Sequence, residues 1–235
     1  MRWLLIGNSR WHWAERCGDD ELRGWDGFAS SQPLDPPVAW AAVGHRPAPG
    51  SCCPPEREVR LGDVPLQGCP PWLGVDRALA GWGAWRQERD SVLVVDAGTV
   101  LSMTRVDANG TFQGGRLLAG LRLQLEAMAS RTTLIPQVLS QPEGAPGQWS
   151  PLRPDPAWPH PTAAAMQVGV EGALAAAVIA GAQEAGCSRV VLTGGDGAAL
   201  LHPVASGLKA LGLAVLHKPL LCLESLATLR PQHQP

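Results

Sequence analysis

The sequence predicts an α/β fold built twice, as two domains on either side of a cleft. Ser91–Val95 is a β-branched apolar run, the mark of a buried strand, and it ends at Asp96-Ala97-Gly98-Thr99. Near the start, Trp3–Ile6 is a second such run and ends in Gly7-Asn8-Ser9. The 235 residues suffice for two domains of about 100 residues, each with its own core. A strand that runs into glycine and then a hydroxyl lets backbone N–H groups close on phosphate oxygens. A carboxylate at the strand's end holds a cation directly or through water. One such loop early and one mid-chain reads as a duplication, with two phosphate loops facing each other.

That is the architecture of actin, hexokinase and the heat-shock ATPases, the ribonuclease H-like ATPase and kinase fold. Residues 1–85 are expected to form the first domain, with the first loop. Residues 86–235 form the second, with the second loop and a Gly-Gly turn.

In order along the chain, Arg10–Ala14 reads as the strand returning from the first loop. Residues 19–71 are rich in Pro, Gly and Trp, with Val38–Val43 and Val59–Leu61 as short strands. Pro70-Pro71 and Gly74 break the chain before a helix over Arg77–Arg86, for which Asp76 can serve as N-cap. Asp76 equally suits a general base, with Arg77 beside it as an anion clamp, and both readings stay open. Val100–Val106, a turn at Asn109-Gly110 and a strand over Thr111–Leu118 complete a meander. Leu121, Leu125 and Met128 give Gly120–Ser130 a helical spacing. Residues 141–161 form a Pro-rich loop, a lid or an excursion at a subunit boundary. Thr162–Ala185 is a long helix whose Ala and Gly residues allow close packing. Arg189–Leu192 is a strand leading to Thr193-Gly194-Gly195-Asp196-Gly197. Gly194 and Gly195 suit close approach of the backbone to a flat or charged ligand such as a nucleotide, or else a plain strand-to-helix turn. Ala214–Leu216 reads as a last strand and Leu220–Leu229 as a last helix.

The formal net charge of −2 supplies no basic field for nucleic acid, so small-molecule partners are expected. The six cysteines form no CxxC pair, which speaks against zinc or a disulfide framework and for reduced thiols in the cytoplasm. His12 and His45 read as satisfied residues, not ligands. No uninterrupted apolar run reaches the roughly 18 residues of a membrane span, and polar Asn8, Ser9 and Arg10 come too soon for a signal peptide. Ten Trp without a Tyr is taken in part as genome bias.

Gly7-Asn8-Ser9, Gly74-Val75-Asp76-Arg77, Asp96-Ala97-Gly98-Thr99, Gly114-Gly115 with Gly120, Thr162 with Gly169, and Thr193-Gly194-Gly195 follow one another in a set order. Together they resemble the type III pantothenate kinases over nearly the whole chain, and the shortened spacing resembles cyanobacterial members. The resemblance implies transfer of the ATP γ-phosphate, with Mg2+, to pantothenate, which gives 4'-phosphopantothenate in the first step of coenzyme A synthesis. It also implies a homodimer and a monovalent cation, K+ or NH4+. By position, Leu5, Ile6, Gly7, Asn8, Ser9 and Arg10 would contact ATP, as would Thr99. Gly74, Val75, Asp76, Arg77 and Thr162 would bind pantothenate, Asp76 would accept the proton, and Asp96 would hold the monovalent cation. The family's first loop reads Asp-x-Gly-Asn-Thr, whereas here Leu5 replaces the Asp and Ser9 the Thr. Ser9 keeps the hydroxyl; Leu5 removes a ligand for magnesium or its water. That loss motivates a second reading, a nucleotide-binding regulatory protein of the same fold with weakened catalysis. A sugar kinase or phosphatase of the superfamily is a third.

Overall fold

A computed structural model describes residues 1–18, 21–27, 35–48, 51–137 and 157–231. The strands are β1 (Arg2–Ile6), β2 (Trp11–Cys17), β3 (Glu21–Gly27), β4 (Ala39–Ala42), β5 (Val92–Ala97), β6 (Val100–Val106), β7 (Phe112–Ala119), β8 (Arg189–Thr193) and β9 (Ala214–His217). The α-helices are α1 (Val75–Glu88), α2 (Leu121–Arg131), α3 (Thr162–Ala185), α4 (Gly197–Lys209) and α5 (Leu221–Leu229). They divide into two units, one of Met1–Ser91, Val106–Gln113 and Leu220–Pro235, the other of Val92–Arg105 and Gly114–Pro219.

In unit one a four-stranded sheet runs in the order β3-β2-β1-β4. β2 is antiparallel to β1 and β3, and β4 is parallel to β1. Alternation along the strands sends Leu4 and Ile6 to one face, where they meet Trp11, Trp13, Trp40 and Cys53. Trp3 and Leu5 turn to the other. Trp13 stacks on Trp25 across the sheet at 6.2 Å, with 9° between the rings. Each buried indole N–H needs a partner, and Trp3 Nε1 donates to the Arg230 carbonyl at 2.8 Å, Trp40 Nε1 to that of Pro54 at 2.8 Å. The tryptophans thus have a structural role that compositional bias alone does not supply: they fill a small sheet's core. α1 and α5 pack on each other, and α5 lies against β1, β2 and β4. Gly83 makes room for Ser225, and Gly24 for Leu220.

In unit two the order is β7-β6-β5-β8-β9, with β8 parallel to both β5 and β9. Val92–Val95 is buried throughout, as a central parallel strand covered on both faces must be. Met166, Val170, Leu174, Val178 and Ala182 form an i, i+4 stripe on α3 that enters the core beside Leu93, Leu101, Leu125 and Leu200. By length and composition α3 could also cross a bilayer.

The same construction recurs in the two units. In each the first strand is central, the second and third step outward on one side, and the fourth lies parallel on the other. Unit two adds β9.

Four expectations change. β3 lies in the stretch read only as rich in Pro, Gly and Trp; its Gly24 is the space that Leu220 fills. Val59–Leu61 is no strand: Trp40 and Glu58 form an isolated bridge, and the chain then turns into a 3-10 helix at Leu61–Asp63. α1 begins at Val75, its N-cap is Gly74, and no side chain caps it, so Asp76 stands inside the first turn. The boundary expected at 85/86 falls after Ser91, and residues 106–113 belong with unit one. They are tied there because Phe112 N donates to the Gln67 carbonyl at 2.8 Å and Trp85 Nε1 to that of Ala108 at 3.0 Å. Most of the Pro-rich stretch at 141–161 lies outside the described residues.

Candidate active site

In unit one the Gly7–Arg10 turn follows the carboxyl end of β1. The Gly7–Arg10 turn closes with Gly7 N donating to the Arg10 carbonyl at 2.9 Å. Leu5 and Ile6 are buried in the strand, while Asn8 and Ser9 are exposed at the tip. Val43 N donates to the Ile6 carbonyl at 2.9 Å, and Gly44 packs on the Gly7 carbonyl where a side chain would collide. Val43 Cγ1 also lies 3.7 Å from the place of a Cβ on Gly74. Val43–Gly44 therefore links the first loop to the start of α1.

At that start Asp76 Oδ1 accepts the main-chain N–H of Arg77 at 2.7 Å. A Cβ on Gly74 would lie 2.5 Å from the same oxygen, so a side chain there would displace the Asp76 carboxylate. Burial raises the Asp76 carboxyl above its ordinary value, against the opposing pull of the Arg77 N–H and charge. Burial lowers Arg77, which Asp76 partly offsets, and its guanidinium lies 5.8 Å from the Phe112 ring centre. Beside Gly74 and Val75 opens a cavity of about 330 Å³. Arg46 and Arg60 reach it, each 2.8 Å from the buried Glu58 carboxylate, which leaves one excess positive charge at its wall.

The first loop also carries a cluster that sequence reasoning missed. His12 Nδ1 lies 2.7 Å from Asp26 Oδ1, and Arg10 Nη1 lies 3.2 Å from Oδ2. The His12 hydrogen bond, with the His12 and Arg10 charges, holds Asp26 below the usual carboxylate range although burial opposes it. His12 is satisfied, as expected, but by a residue on the unanticipated β3. Cys52 and Cys53 do no comparable work: their sulfurs are 3.8 Å apart, and burial, then Cys52, pushes the Cys53 thiol up to about 12.

Unit two gathers its groups at the carboxyl ends of β5 and β8, where open parallel sheets bind ligands. Asp96 pairs in register with Thr193. Gly120 N donates to the Thr99 carbonyl at 2.9 Å, and a side chain at Gly120 would strike the carbonyls of Gly98 and Thr99. Gly194, at φ +88°, packs on Asp96 Oδ1 and the Ala97 carbonyl. Asp196 N donates to that carbonyl at 2.8 Å, so the Gly194–Gly195 turn is pinned to the Asp96 loop. The buried Asp196, at the N-cap of α4, is a carboxylate that the motif reading did not single out. Thr162 is the exposed first residue of α3, and that helix packs on α2, α4 and β5. Carboxylate, hydroxyl and carbonyl oxygens make the Asp96 end fit for a hard cation.

Residues 65–183 match the profile of the type III pantothenate kinase family, a stretch that holds Gly74–Arg77, Asp96, Thr99, Gly120 and Thr162. The type III pantothenate kinase of Synechococcus sp. strain JA-3-3Ab is 35% identical over 248 residues, which cover 99% of this chain and 94% of the relative. The chain belongs to the type III pantothenate kinase family. The Synechococcus elongatus family member is 38% identical over 162 residues, 60% of this chain, and there the match spans 65% of the relative, just under two thirds. Among solved structures, a Baf family transcriptional activator from Campylobacter jejuni superposes with a TM-score of 0.58 at 15% identity, over 97% of this chain and 96% of that one. Component A of the Acidaminococcus fermentans (R)-2-hydroxyglutaryl-CoA dehydratase gives 0.53 at 14% identity, over 99% and 97%. At such identities the likeness is one of fold, and the fold is the actin-like one. The type III pantothenate kinase profile starts beyond the first loop, so Leu5–Arg10 lies outside that match.

Proposed function

We propose that this chain transfers the γ-phosphoryl group of ATP to the primary hydroxyl of pantothenate. The observation that carries the proposal is the family match over 65–183, which contains Asp76 in a desolvated position with Arg77 next to it. Asp76 accepts the hydroxyl proton, and burial moves its carboxyl in the direction a base at neutral pH requires. Arg77 pairs with the pantothenate carboxylate, and Gly74, Val75 and Thr162 complete the acceptor site. ATP phosphates rest on the Gly7–Arg10 turn and on Thr99, with Gly194 and Gly195 letting the nucleotide approach the backbone. Asp96 would hold a monovalent cation, and Mg2+ would arrive with the nucleotide; both supply charge neutralisation for the phosphates. Phosphoryl transfer is largely positioning and electrostatics, so two loops and one base suffice on the protein side.

The remaining α3 surface is the proposed contact between two copies, and the compartment is the cytoplasm. The test is an ADP-release assay with pantothenate, in potassium and in sodium. Pantothenate-dependent ADP release is expected. Its absence in both salts overturns the proposal.

A further inference from the structure

The two loops differ at one place. Asp96 is the penultimate residue of β5, and Leu5 is the penultimate residue of β1. The second loop thus has a carboxylate where the first has an alkyl group.

The sheet register shows what stands in for it. Leu5 lies opposite His12 on β2, and His12 lies opposite Asp26 on β3. Directly opposed residues of antiparallel strands turn to the same face, so the three form one row across the sheet. The carboxylate of unit one is displaced two strands outward, with an imidazole between it and the loop. Asp26 stays ionised and accepts, so His12 Nδ1 carries the donated hydrogen. The other ring nitrogen points back to the loop: a Cβ on Gly7 would sit 3.2 Å from Nε2. Arg10 reaches the same face and holds the second Asp26 oxygen. The side chains of His12, Asp26 and Arg10 are 34%, 38% and 27% exposed, so a ligand on the loop can reach them. Among the described residues the charged groups facing the ring are Asp26 from β3 and Arg10 from the loop; Leu5 from β1 and Gly7 from the loop bring none.

We infer that His12, set in place by Asp26 and joined by Arg10, is a phosphate-binding residue of the first loop, doing directly what a carboxylate could do only through a cation. The inference rests on the reading that this loop carries the ATP phosphates. As an imidazolium, His12 donates Nδ1–H to Asp26 and Nε2–H to a phosphate oxygen, both charge-assisted bonds. A plain surface ion pair would instead do little beyond tying β2 to β3.

The experiment titrates tryptophan fluorescence with an unhydrolysable ATP analogue plus Mg2+, and separately with adenosine, in wild type, His12→Leu and His12→Gln. His12→Leu should weaken the analogue roughly 10- to 100-fold, the range for a lost hydrogen bond to a charged group, and leave adenosine unchanged. His12→Gln should recover part of the loss, because its amide N–H reaches the place of Nε2, and the ATP KM should follow the same order. Equal analogue affinity in wild type and His12→Leu, an equal loss for adenosine, or no analogue binding by wild type overturns the inference. Wild type that binds the analogue through His12 but never phosphorylates pantothenate overturns the proposed function and leaves this site standing. Pantothenate turnover with an ATP KM unchanged in His12→Leu does the reverse.

Discussion

Gly194 lies directly on Oδ1 of Asp96, in space that a methyl group would have to share with that oxygen and with the Ala97 carbonyl. Its φ of +88° is also one that side chains rarely adopt, at a cost of about 1–2 kcal/mol. Gly194→Ala should lower the melting temperature by several degrees, at roughly 2–4 °C per kcal/mol for a chain of this size. Because the displaced group is Asp96, nucleotide affinity should fall as well. A variant that melts early but binds ATP as wild type would separate the turn from the site.

Asp76→Asn keeps an oxygen for the Arg77 N–H and removes the charge. Turnover should drop about 10²-fold or more, with ATP affinity unchanged. Stability should move the other way. A carboxyl raised by burial is a group whose ionisation opposes folding, so its contribution is present below the ordinary value of 3.8 and lost as pH rises through the folded value. At pH 7 the Asn variant should therefore melt at or above wild type, and the difference should vanish in acid. Lower stability of the variant at pH 7 would contradict the burial argument.

Asp96→Asn tests the cation. Wild-type activity should need potassium or ammonium and fall sharply in sodium, and the variant should be weaker in all three with much of the discrimination gone. Steady-state rates in matched chloride salts decide it; equal wild-type rates in sodium and potassium would remove Asp96 from that role.

Leu5→Asp restores the carboxylate at the end of β1, directly opposite His12. Burying it costs stability, since Leu5 is only 8% exposed, but His12 supplies a partner. The rate should stay within a few-fold of wild type or rise. An inactive wild type that gains pantothenate phosphorylation from this one change would instead favour the regulatory reading.

The sequence was most legible where local and global preferences agree. Val100–Val106 and Thr162–Ala185 hold to their expected limits because a strand closed by the Asn109-Gly110 turn and a small-residue helix between Pro161 and Gly186 need no distant partner to be recognised. β3 needs one: Gly24 belongs in a strand only because Leu220 occupies its space, and nothing near residue 24 says so. The loss of β3 concealed Asp26 and, with it, the use made of His12. Asp76 misled in a different way. Capping rules favour an acidic residue over glycine, yet Gly74 takes the cap, and a side chain there would meet the Asp76 carboxylate. Within unit one, Val43–Gly44 joins two motifs 67 positions apart (Gly74 less Gly7) through contacts that no motif encodes.

Leu221 and Leu226 of α5 are wholly buried in unit one, against elements laid down before residue 92. On the ribosome, then, the tryptophan-rich sheet leaves the exit tunnel without the helix that covers it. It must wait for all of unit two to be translated, on the order of ten seconds at typical rates of synthesis. The half of the protein synthesised first is the half completed last, and until α5 arrives the α1 face that will hold Ser225 is open to chaperones and proteases.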